Sequence, residues 1–238
     1  MKIEIQKTAK ITNENEWFLL APPKGKEKQW KDGYSAKELA KFVTSDYKGF
    51  TELIKNIVKE ATHRVPKSFV GEPEAITSLP GSGQGRNHDL LLYNDNLVIG
   101  IEAKVNEPYG ESISSEYLNP ETTNNKKNRI EALWEIIFRD KPKEELPKCN
   151  LKYQLLTGTA GTLFEAHKRG IKKCIFLVLS FRYYGEDKNQ QNEQSFNDFV
   201  EIVCQGKNHR SFRVEDEEIT CWFRKQEIVM TKPTSYQT

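Results

Sequence analysis

Two acidic residues and a lysine lie on two neighbouring predicted strands and could together perform chemistry. Asp89 lies on the first strand, and Glu102 and Lys104 lie at the end of the second. Because successive side chains on a strand point to opposite faces, Glu102 and Lys104 share one face and Ala103 points to the other. Such charges would be costly to bury without partners, whereas two carboxylates on one face can hold a hard divalent cation. We therefore treat these three residues as a candidate metal site.

The strand pair that must position these residues lies within residues 85–110. Residues 97–101 are continuously apolar, which predicts a strand covered on both faces. If Asp95-Asn96 forms a two-residue hairpin loop, Asp89 lies directly across from Glu102. A four-residue loop would also keep the two carboxylates on one face, whereas a three-residue loop would separate them. Two of these three registers therefore bring both carboxylates within reach of one ion.

The composition is that of a protein with enough apolar residues for a core. The chain has 238 residues, of which 37% are hydrophobic and 29% are charged. Lys and Arg number 36 against 34 for Asp and Glu, and the formal net charge of +2 neither requires nor excludes a nucleic-acid partner. No stretch approaches the roughly 20 apolar residues of a membrane span, and the start lacks the apolar core of a signal peptide. We therefore expect a cytoplasmic protein with no membrane partner.

The cysteines and histidines form no metal-binding pattern in the sequence. The four cysteines are widely spaced and include no Cys-x-x-Cys pair, which indicates reduced thiols rather than a zinc site or a disulfide framework. The four histidines are equally scattered: His63, His88, His167 and His209. Zinc is therefore not expected.

The rest of the chain predicts helices and strands around this strand pair. A capping box over 35–38 begins a helical arm (about 35–65) packed on a core (about 70–230), and residues 66–88 are expected to be rich in loops. Residues 151–170 predict a helix that ends at Gly170 and lies close to a sheet, residues 174–181 predict a second buried strand, and the tail predicts an edge strand. This order indicates an α/β sandwich around one mixed sheet, in a single domain of residues 1–238.

Asp89, followed by Glu102-Ala103-Lys104 at the end of a strand, resembles the D…(D/E)-x-K core of the PD-(D/E)XK nuclease superfamily. The helix and strand within 153–181 fit the core order of that superfamily. The segments NHDLLLY, IEAKVNEPYG and LKYQLLTGTAGTLFEAHKRG resemble a bacterial group within it. The resemblance implies a restriction-endonuclease-like three-layer sandwich, with a central mixed β-sheet flanked by helices.

The resemblance also implies a Mg²⁺-dependent phosphodiesterase, for which Mn²⁺ could substitute. Asp89, Glu102 and the backbone carbonyl of Ala103 would hold the ion. Lys104 would orient or deprotonate the attacking water and stabilise developing negative charge. DNA is favoured over RNA and endonuclease over exonuclease action, in restriction, defence or repair, and a homodimer would allow two-strand cleavage. The alternative is an inactive nuclease-like module that binds nucleic acid or protein.

Three features depart from the pattern of the superfamily. His88 rather than proline precedes Asp89, and we expect it to be a loop residue or a substrate contact. Gln154 matches a helix glutamine of many members, but Gly158 stands where an aromatic residue is expected. An additional helical acid has three candidates, which are Glu60, Glu72 and Glu74. The supporting residues are therefore Glu74, His88 and Gln154.

Three basic clusters could supply phosphate contacts, which add salt-dependent affinity without sequence information. One lies in a loop with Trp30, one follows a long polar stretch over 107–128 that is expected to be a loop or disordered, and one flanks a helix–strand junction. The clusters are Lys24, Lys26, Lys28 and Lys31; Lys126, Lys127 and Arg129; and Lys168, Arg169, Lys172 and Lys173. We assign nucleic-acid contacts to the second cluster.

Overall fold

The computed structural model describes residues 1–81, 84–139, 141–187, 189–206, 210–214 and 218–231, so His209 lies outside the described residues. Within these ranges the chain forms seven strands and seven α-helices. The strands are β1 (Lys2–Ile5), β2 (Ser68–Thr77), β3 (Arg86–Asn94), β4 (Leu97–Lys104), β5 (Lys173–Tyr183), β6 (Ser211–Val214) and β7 (Ile219–Met230). The helices are α1 (Glu14–Leu20), α2 (Ser35–Ser45), α3 (Tyr47–Thr62), α4 (Ile113–Leu118), α5 (Asn124–Ile137), α6 (Tyr153–Lys168) and α7 (Gln190–Val203). Short 3₁₀ helices lie at Lys26–Lys28 and Lys143–Lys148.

The described strands form one mixed sheet in the order β1-β2-β3-β4-β5-β7-β6. The pairs β1–β2, β4–β5 and β5–β7 are parallel, and the pairs β2–β3, β3–β4 and β6–β7 are antiparallel. The central strand β4 is buried along its whole length, as its apolar run predicts. The tail strand β7 was expected at an edge, but it lies between β5 and β6 because the short strand β6 pairs with its outer side.

Helices cover both faces of the sheet. Helices α1, α2 and α3 contribute to one apolar core with residues of β1 to β5, and α4 to α7 contribute to a second core on the other face. The predicted α/β three-layer sandwich with a central mixed sheet is therefore confirmed. Both α2 and α3 fall in the range predicted for the helical arm. In the described ranges, no helix has the length and apolar content needed to cross a membrane.

Glycines allow helix α6 to lie unusually close to the sheet. A Cβ atom on Gly158 would lie 2.6 Å from ring carbons of Phe176 on β5. A Cβ atom on Gly100 of β4 would overlap the hydroxyl oxygen of Thr162 on α6. The helix ends at Lys168, and Gly170 follows in the left-handed region with a φ of +67°. The predicted close contact between helix and sheet, and the glycine at the helix end, are therefore confirmed.

The sequence predicts loops over 66–88, but strand β2 occupies much of this segment. Proline and glycine normally disfavour strands, which is why this segment, with Pro73, Pro80, Gly81, Gly83 and Gly85, indicated a loop. In the structure Pro73 pairs with β3 but lies beyond the four residues of β2 that pair with β1. The N–H that Pro73 lacks is therefore not needed for the hydrogen bonds between β1 and β2.

Two further local expectations were wrong. The capping box over 35–38 does not form, because Tyr34 is the N-cap residue and the buried Glu38 carboxylate accepts a hydrogen bond from the Gly33 N–H instead (2.7 Å). The polar stretch over 107–128 contains α4 and the start of α5. Ser112 and Thr123 cap these two helices by accepting hydrogen bonds from backbone N–H groups.

The four cysteines are free thiols, and Cys149 is the one that is partly exposed. Cys174 and Cys221, far apart in the sequence, are paired residues on β5 and β7. Burial and a hydrogen bond with Cys221 raise the pKa of the Cys174 thiol well above its ordinary value. The Cys174 thiol is therefore neutral, and both buried side chains pack like small apolar side chains.

Replacing Gly158 by alanine should destabilise the protein by about 1–3 kcal/mol, even though alanine favours helices, because the added methyl group would overlap the Phe176 ring. Phe176→Leu removes the overlapping ring atoms, so Gly158→Ala should cost less in that background. Urea unfolding of the wild type, both single variants and the double variant measures the difference. Equal costs in the two backgrounds would show that this contact does not set the distance between helix and sheet.

Candidate active site

The hairpin formed by β3 and β4 places the predicted metal ligands at the same height. Asn94 pairs with Leu97, so Asp95-Asn96 is a two-residue loop. Of the three registers considered, this is the one that puts Asp89 directly across from Glu102. The turn chemistry of the sequence therefore predicts the observed register.

The Asp89 side chain bonds to the backbone of the neighbouring strand. The last regular pair of β3 and β4 is Leu90–Ile101. Beyond it, the N–H of Ala103 donates a hydrogen bond to Oδ2 of Asp89 (2.7 Å). The N–H and carbonyl of one strand residue point to the same side, so the Ala103 carbonyl also faces β3 and Asp89. This is the direction that the implied carbonyl ligand requires.

Glu74 adds a third carboxylate at the same height on β2. The pairs Pro73–Leu90 and Ala75–His88 on either side leave Glu74 opposite Asp89. Its backbone φ of +48° lies in the left-handed region, which residues with side chains adopt at a cost, often at functional sites. Its carboxylate accepts a hydrogen bond from the Asn87 side chain.

The three candidates for an additional helical acid differ in where they lie and in what they contact. Glu74 and Glu72 lie on strand β2, and Glu72 forms an ion pair with Lys7 at 2.8 Å. Glu60 lies on helix α3, and its side chain is exposed. Glu74 thus joins the site from a strand rather than from a helix.

Lys104 and Arg86 both bind the carboxylate of Glu102. Lys104 Nζ lies 3.1 Å from Glu102 Oε1, as expected for side chains that share a face of β4. Arg86 Nη2 forms an ion pair with Glu102 Oε2. The Arg86 side chain is 13% exposed, and its Nε is buried with no hydrogen-bond partner among the described residues. Arg86 was not predicted, because it falls where the sequence indicates a loop.

Burial and repulsion between carboxylates change the acidity of the site. Burial, followed by the charges of Glu102 and Glu74, raises the pKa of Asp89 well above its ordinary range. Burial raises the pKa of Glu74 to about 7, against the opposing effects of Asn87 and Lys7.

The pKa of Lys104 shifts in the direction that keeps its ammonium group charged. Burial disfavours its ammonium group, but the charges of Glu102 and Asp89 outweigh that effect, so the pKa of Lys104 is raised. Together, the shifted acids and the charged lysine describe a site that would attract a further cation when all three carboxylates ionise.

All three predicted catalytic residues line one open cavity of about 700 Å³. Glu74, Arg86 and Gln154 line the same cavity. Oε1 of Gln154 is buried and has no hydrogen-bond partner among the described residues. The structure therefore brings together Asp89, Glu102, Lys104 and two of the three predicted supporting residues.

His88 does not line this cavity. It lies within strand β3 rather than in a loop, and its side chain is 1% exposed. A Cβ atom on Gly161 of α6 would lie 2.8 Å from its Nε2. Burial and the charge of Arg86 lower the pKa of His88 to about 3, so the ring is neutral. This placement makes His88 an internal packing residue and rules out the expected substrate contact.

The basic cluster predicted to bind nucleic acid lies in the first turns of α5, outside the cavity lining. Lys126 forms an ion pair with Glu116, and its Nζ lies 5.3 Å from the centre of the Tyr153 ring. Arg129 donates hydrogen bonds to two backbone carbonyls before β3, at 3.1 and 2.8 Å. Lys127 lies beside them, partly exposed. The contacts of Lys126 and Arg129 hold neighbouring segments together.

The residues present fit the simplest way of binding Mg²⁺. In the described part of the chain, His, Cys, Asp and Glu side chains form no group of three or more placed to hold a metal ion. Mg²⁺ is, however, commonly bound through one or two carboxylates, with water and phosphate oxygens completing its coordination. Asp89, Glu102 and the Ala103 carbonyl supply such a donor set. Both oxygens of Glu102 already contact cations, so an ion at Glu102 would compete with Arg86.

Without metal, the free energy of unfolding should fall between about pH 5 and about pH 8, because folded Glu74 and Asp89 keep protons that the unfolded chain releases. The contribution of Glu74 is complete below the ordinary carboxyl pKa and is lost as the pH rises through about 7. Glu74→Gln stays neutral and should remove roughly 1–2 kcal/mol of the fall.

Urea unfolding across this pH range measures the effect. The exposed Glu121→Gln is the matched control and should leave the pH dependence unchanged. The same pH dependence in Glu74→Gln and the wild type would contradict the raised pKa of Glu74.

Comparison with known proteins identifies a family. No curated protein and no solved structure matches the chain. Residues 10–225 match the family described as "Domain of unknown function (DUF6946)". The match includes β2, β3, β4 and α6, and therefore every residue of the candidate site. The chain belongs to the DUF6946 family.

Proposed function

We propose that this protein is a metal-dependent nuclease that hydrolyses internal phosphodiester bonds of DNA. The observation that carries the proposal is the convergence of Asp89, Glu102 and Lys104 in one open cavity at the end of a buried strand. Oxygen ligands for a hard cation and a fixed positive charge are what phosphodiester hydrolysis needs. The resemblance of these residues to the PD-(D/E)XK core supports the same reaction.

Asp89, Glu102 and the Ala103 carbonyl would hold Mg²⁺, or Mn²⁺ in its place. An ion held there would act as a Lewis acid toward a phosphate oxygen and would lower the pKa of a water bound to it. The hydrogen bond from the Ala103 N–H to Asp89 fixes one carboxylate relative to β4. The burial of β4 fixes the other, so the donor set is held on rigid elements.

Lys104 would act as a fixed positive charge. Because the charges of Glu102 and Asp89 raise the pKa of Lys104 in the metal-free protein, its ammonium group can orient water and stabilise negative charge. Glu74 lines the cavity opposite Asp89, and its pKa of about 7 in the metal-free protein suits a carboxylate that accepts the proton of the attacking water. We therefore assign the base role to Glu74 and the electrostatic role to Lys104.

A second candidate function is an inactive nuclease-like module that binds nucleic acid or protein. The ion pairs of Glu102 with Arg86 and Lys104 favour it, because residues of the chain itself already balance this carboxylate. Such a module would bind a partner without turnover. Product formation by the wild type that requires Mg²⁺ and stops with EDTA separates the two functions.

The proposed setting is the cytoplasm, in restriction, defence or repair. The buried free thiols support a reducing compartment. A homodimer would bring together two copies of the candidate site.

Asp89→Asn and Glu102→Gln should remove both metal binding and cleavage, because each loses an anionic ligand. Lys104→Met should slow cleavage by about 10²–10⁴-fold while metal binding remains measurable. Cleavage is followed on supercoiled, linear and single-stranded DNA and on RNA, with Mg²⁺, Mn²⁺ or EDTA. Calorimetry follows metal binding, and thermal unfolding verifies that each variant is folded.

The exposed Glu121→Gln serves as the matched control and should cleave like the wild type. Turnover at the wild-type rate by Asp89→Asn, Glu102→Gln or Lys104→Met would rule out this mechanism.

Arg86→Met should lower the stability of the metal-free protein, but by less than the roughly 3–5 kcal/mol that a fully unpaired buried charge costs, because Glu102 keeps its ion pair with Lys104. Mg²⁺ should then raise the melting temperature of the variant more than that of the wild type, since the ion no longer competes with the guanidinium. Arg86→Lys retains the charge and should respond more like the wild type. Thermal unfolding over a series of Mg²⁺ concentrations measures this. Equal Mg²⁺ responses in all three proteins would show that Arg86 and the ion do not share Glu102.

A further inference from the structure

The segment 24–34, which we name the lysine loop, carries a strong local charge beside the candidate site. Lys24, Lys26, Lys28 and Lys31 are all exposed, and the segment contains two acids, Glu27 and Asp32, of which Asp32 forms ion pairs with Lys37 and Lys41. The four lysines therefore form a local basic patch in a chain whose formal net charge is only +2. Local patches of this kind, rather than net charge, decide where a polyanion binds.

The lysine loop is firmly attached to the body of the protein. The Trp30 ring packs on Phe18 with ring centres 5.1 Å apart. The Gly33 N–H donates a hydrogen bond to the buried Glu38 carboxylate (2.7 Å). The same Glu38 oxygen accepts a hydrogen bond from the hydroxyl of Tyr183 on β5 (3.3 Å). The lysines therefore project from a fixed base.

The lysine loop also forms part of the wall of the catalytic cavity. Lys24, Gln29, Gly33 and Tyr34 line the cavity that contains the catalytic carboxylates. Tyr34 is 46% exposed, which is high for a large aromatic side chain. An exposed ring beside exposed lysines is the combination with which proteins bind unpaired nucleic acid, since bases stack on the ring and lysines contact the phosphates.

We propose that the lysine loop and Tyr34 form the binding track for an unpaired nucleic-acid strand. Lys24, Lys28 and Lys31 contact successive phosphates, and one base stacks on Tyr34. The proposal rests on the proposed function for its account of what happens to the strand in the cavity. A duplex does not fit this track as well, because its bases are already stacked on their neighbours and do not offer a free face to Tyr34.

The negative charges of the cavity mean that a nucleic-acid strand needs positive charge nearby to stay there. Glu74, Asp89 and Glu102 line the cavity and would repel a polyanion, whereas the lysine loop attracts one. A strand held by the lysines is kept beside the carboxylates despite that repulsion. Substrate binding and metal binding are thereby assigned to different residues, so each can be tested without the other.

Fluorescence anisotropy with labelled single-stranded DNA, single-stranded RNA and blunt duplex DNA of equal length tests the proposal. The wild-type protein is used in EDTA, so that no cleavage occurs, over a series of salt concentrations. It should bind the single strands more tightly than the duplex. Lys24→Ala/Lys28→Ala/Lys31→Ala should bind single strands more than about tenfold more weakly at low salt, and its salt dependence should be shallower by about two units in a log–log plot.

The matched control is Lys48→Ala/Lys59→Ala/Lys67→Ala, which removes three exposed lysines outside the cavity lining and should bind like the wild type. Tyr34→Ala should weaken single-strand binding by about 5- to 100-fold and change duplex binding little, whereas Tyr34→Phe should retain tight binding.

Several results would overturn the proposal. The lysine-loop variant and its control could bind single strands equally well, or the wild type could bind the duplex more tightly or bind nothing. Tyr34→Phe could also lose as much single-strand affinity as Tyr34→Ala. None of these depends on turnover, whereas the nuclease function is decided by Mg²⁺-dependent cleavage. The two proposals can therefore fail separately.

Discussion

The electrostatic constraint on which the site depends is the presence of three carboxylates at the same height on neighbouring strands. Glu74, Asp89 and Glu102 lie on β2, β3 and β4, and β4 is buried along its whole length. Like charges in such surroundings cannot all ionise freely. In the structure Glu102 pairs with Arg86 and Lys104, and the pKa values of Asp89 and Glu74 are raised. A divalent cation would satisfy the same constraint more completely.

The fold holds these charges in place through ordinary packing. Helix α6 lies close to β4 and β5 because Gly158 and Gly100 carry no side chain. Asp89 accepts the Ala103 N–H beyond the last regular pair of the hairpin, so a proposed metal ligand also completes the hydrogen bonding of the sheet. The same carboxylate thus serves structure and proposed chemistry.

The sequence predicts well the features that follow from local rules. The apolar run of β4, the two-residue turn at Asp95-Asn96 and the small residues of α6 each have a local physical cause, and each was found in the structure. Arg86, and the position of Glu74 on a strand, escaped prediction because proline and glycine made the segment before Asp89 resemble a loop. Glu74 adopts its place through a strained backbone that no propensity indicates.

The lysine loop could not be placed at the site from sequence for a different reason. Its contact with the cavity depends on tertiary contacts through Glu38 and Tyr183, which are far apart in the chain. From the sequence we favoured instead the cluster at Lys126. It is nearer to the motif along the chain, but it lies outside the cavity lining.

The most direct test of the proposed metal site is a crystal structure of the protein with Mn²⁺, measured at a wavelength where manganese scatters anomalously. We expect an anomalous peak between the carboxylates of Asp89 and Glu102 and within coordination distance of the Ala103 carbonyl, with Arg86 displaced from Glu102. Crystals at saturating Mn²⁺ with no peak there, and with the Arg86–Glu102 ion pair intact, would contradict it.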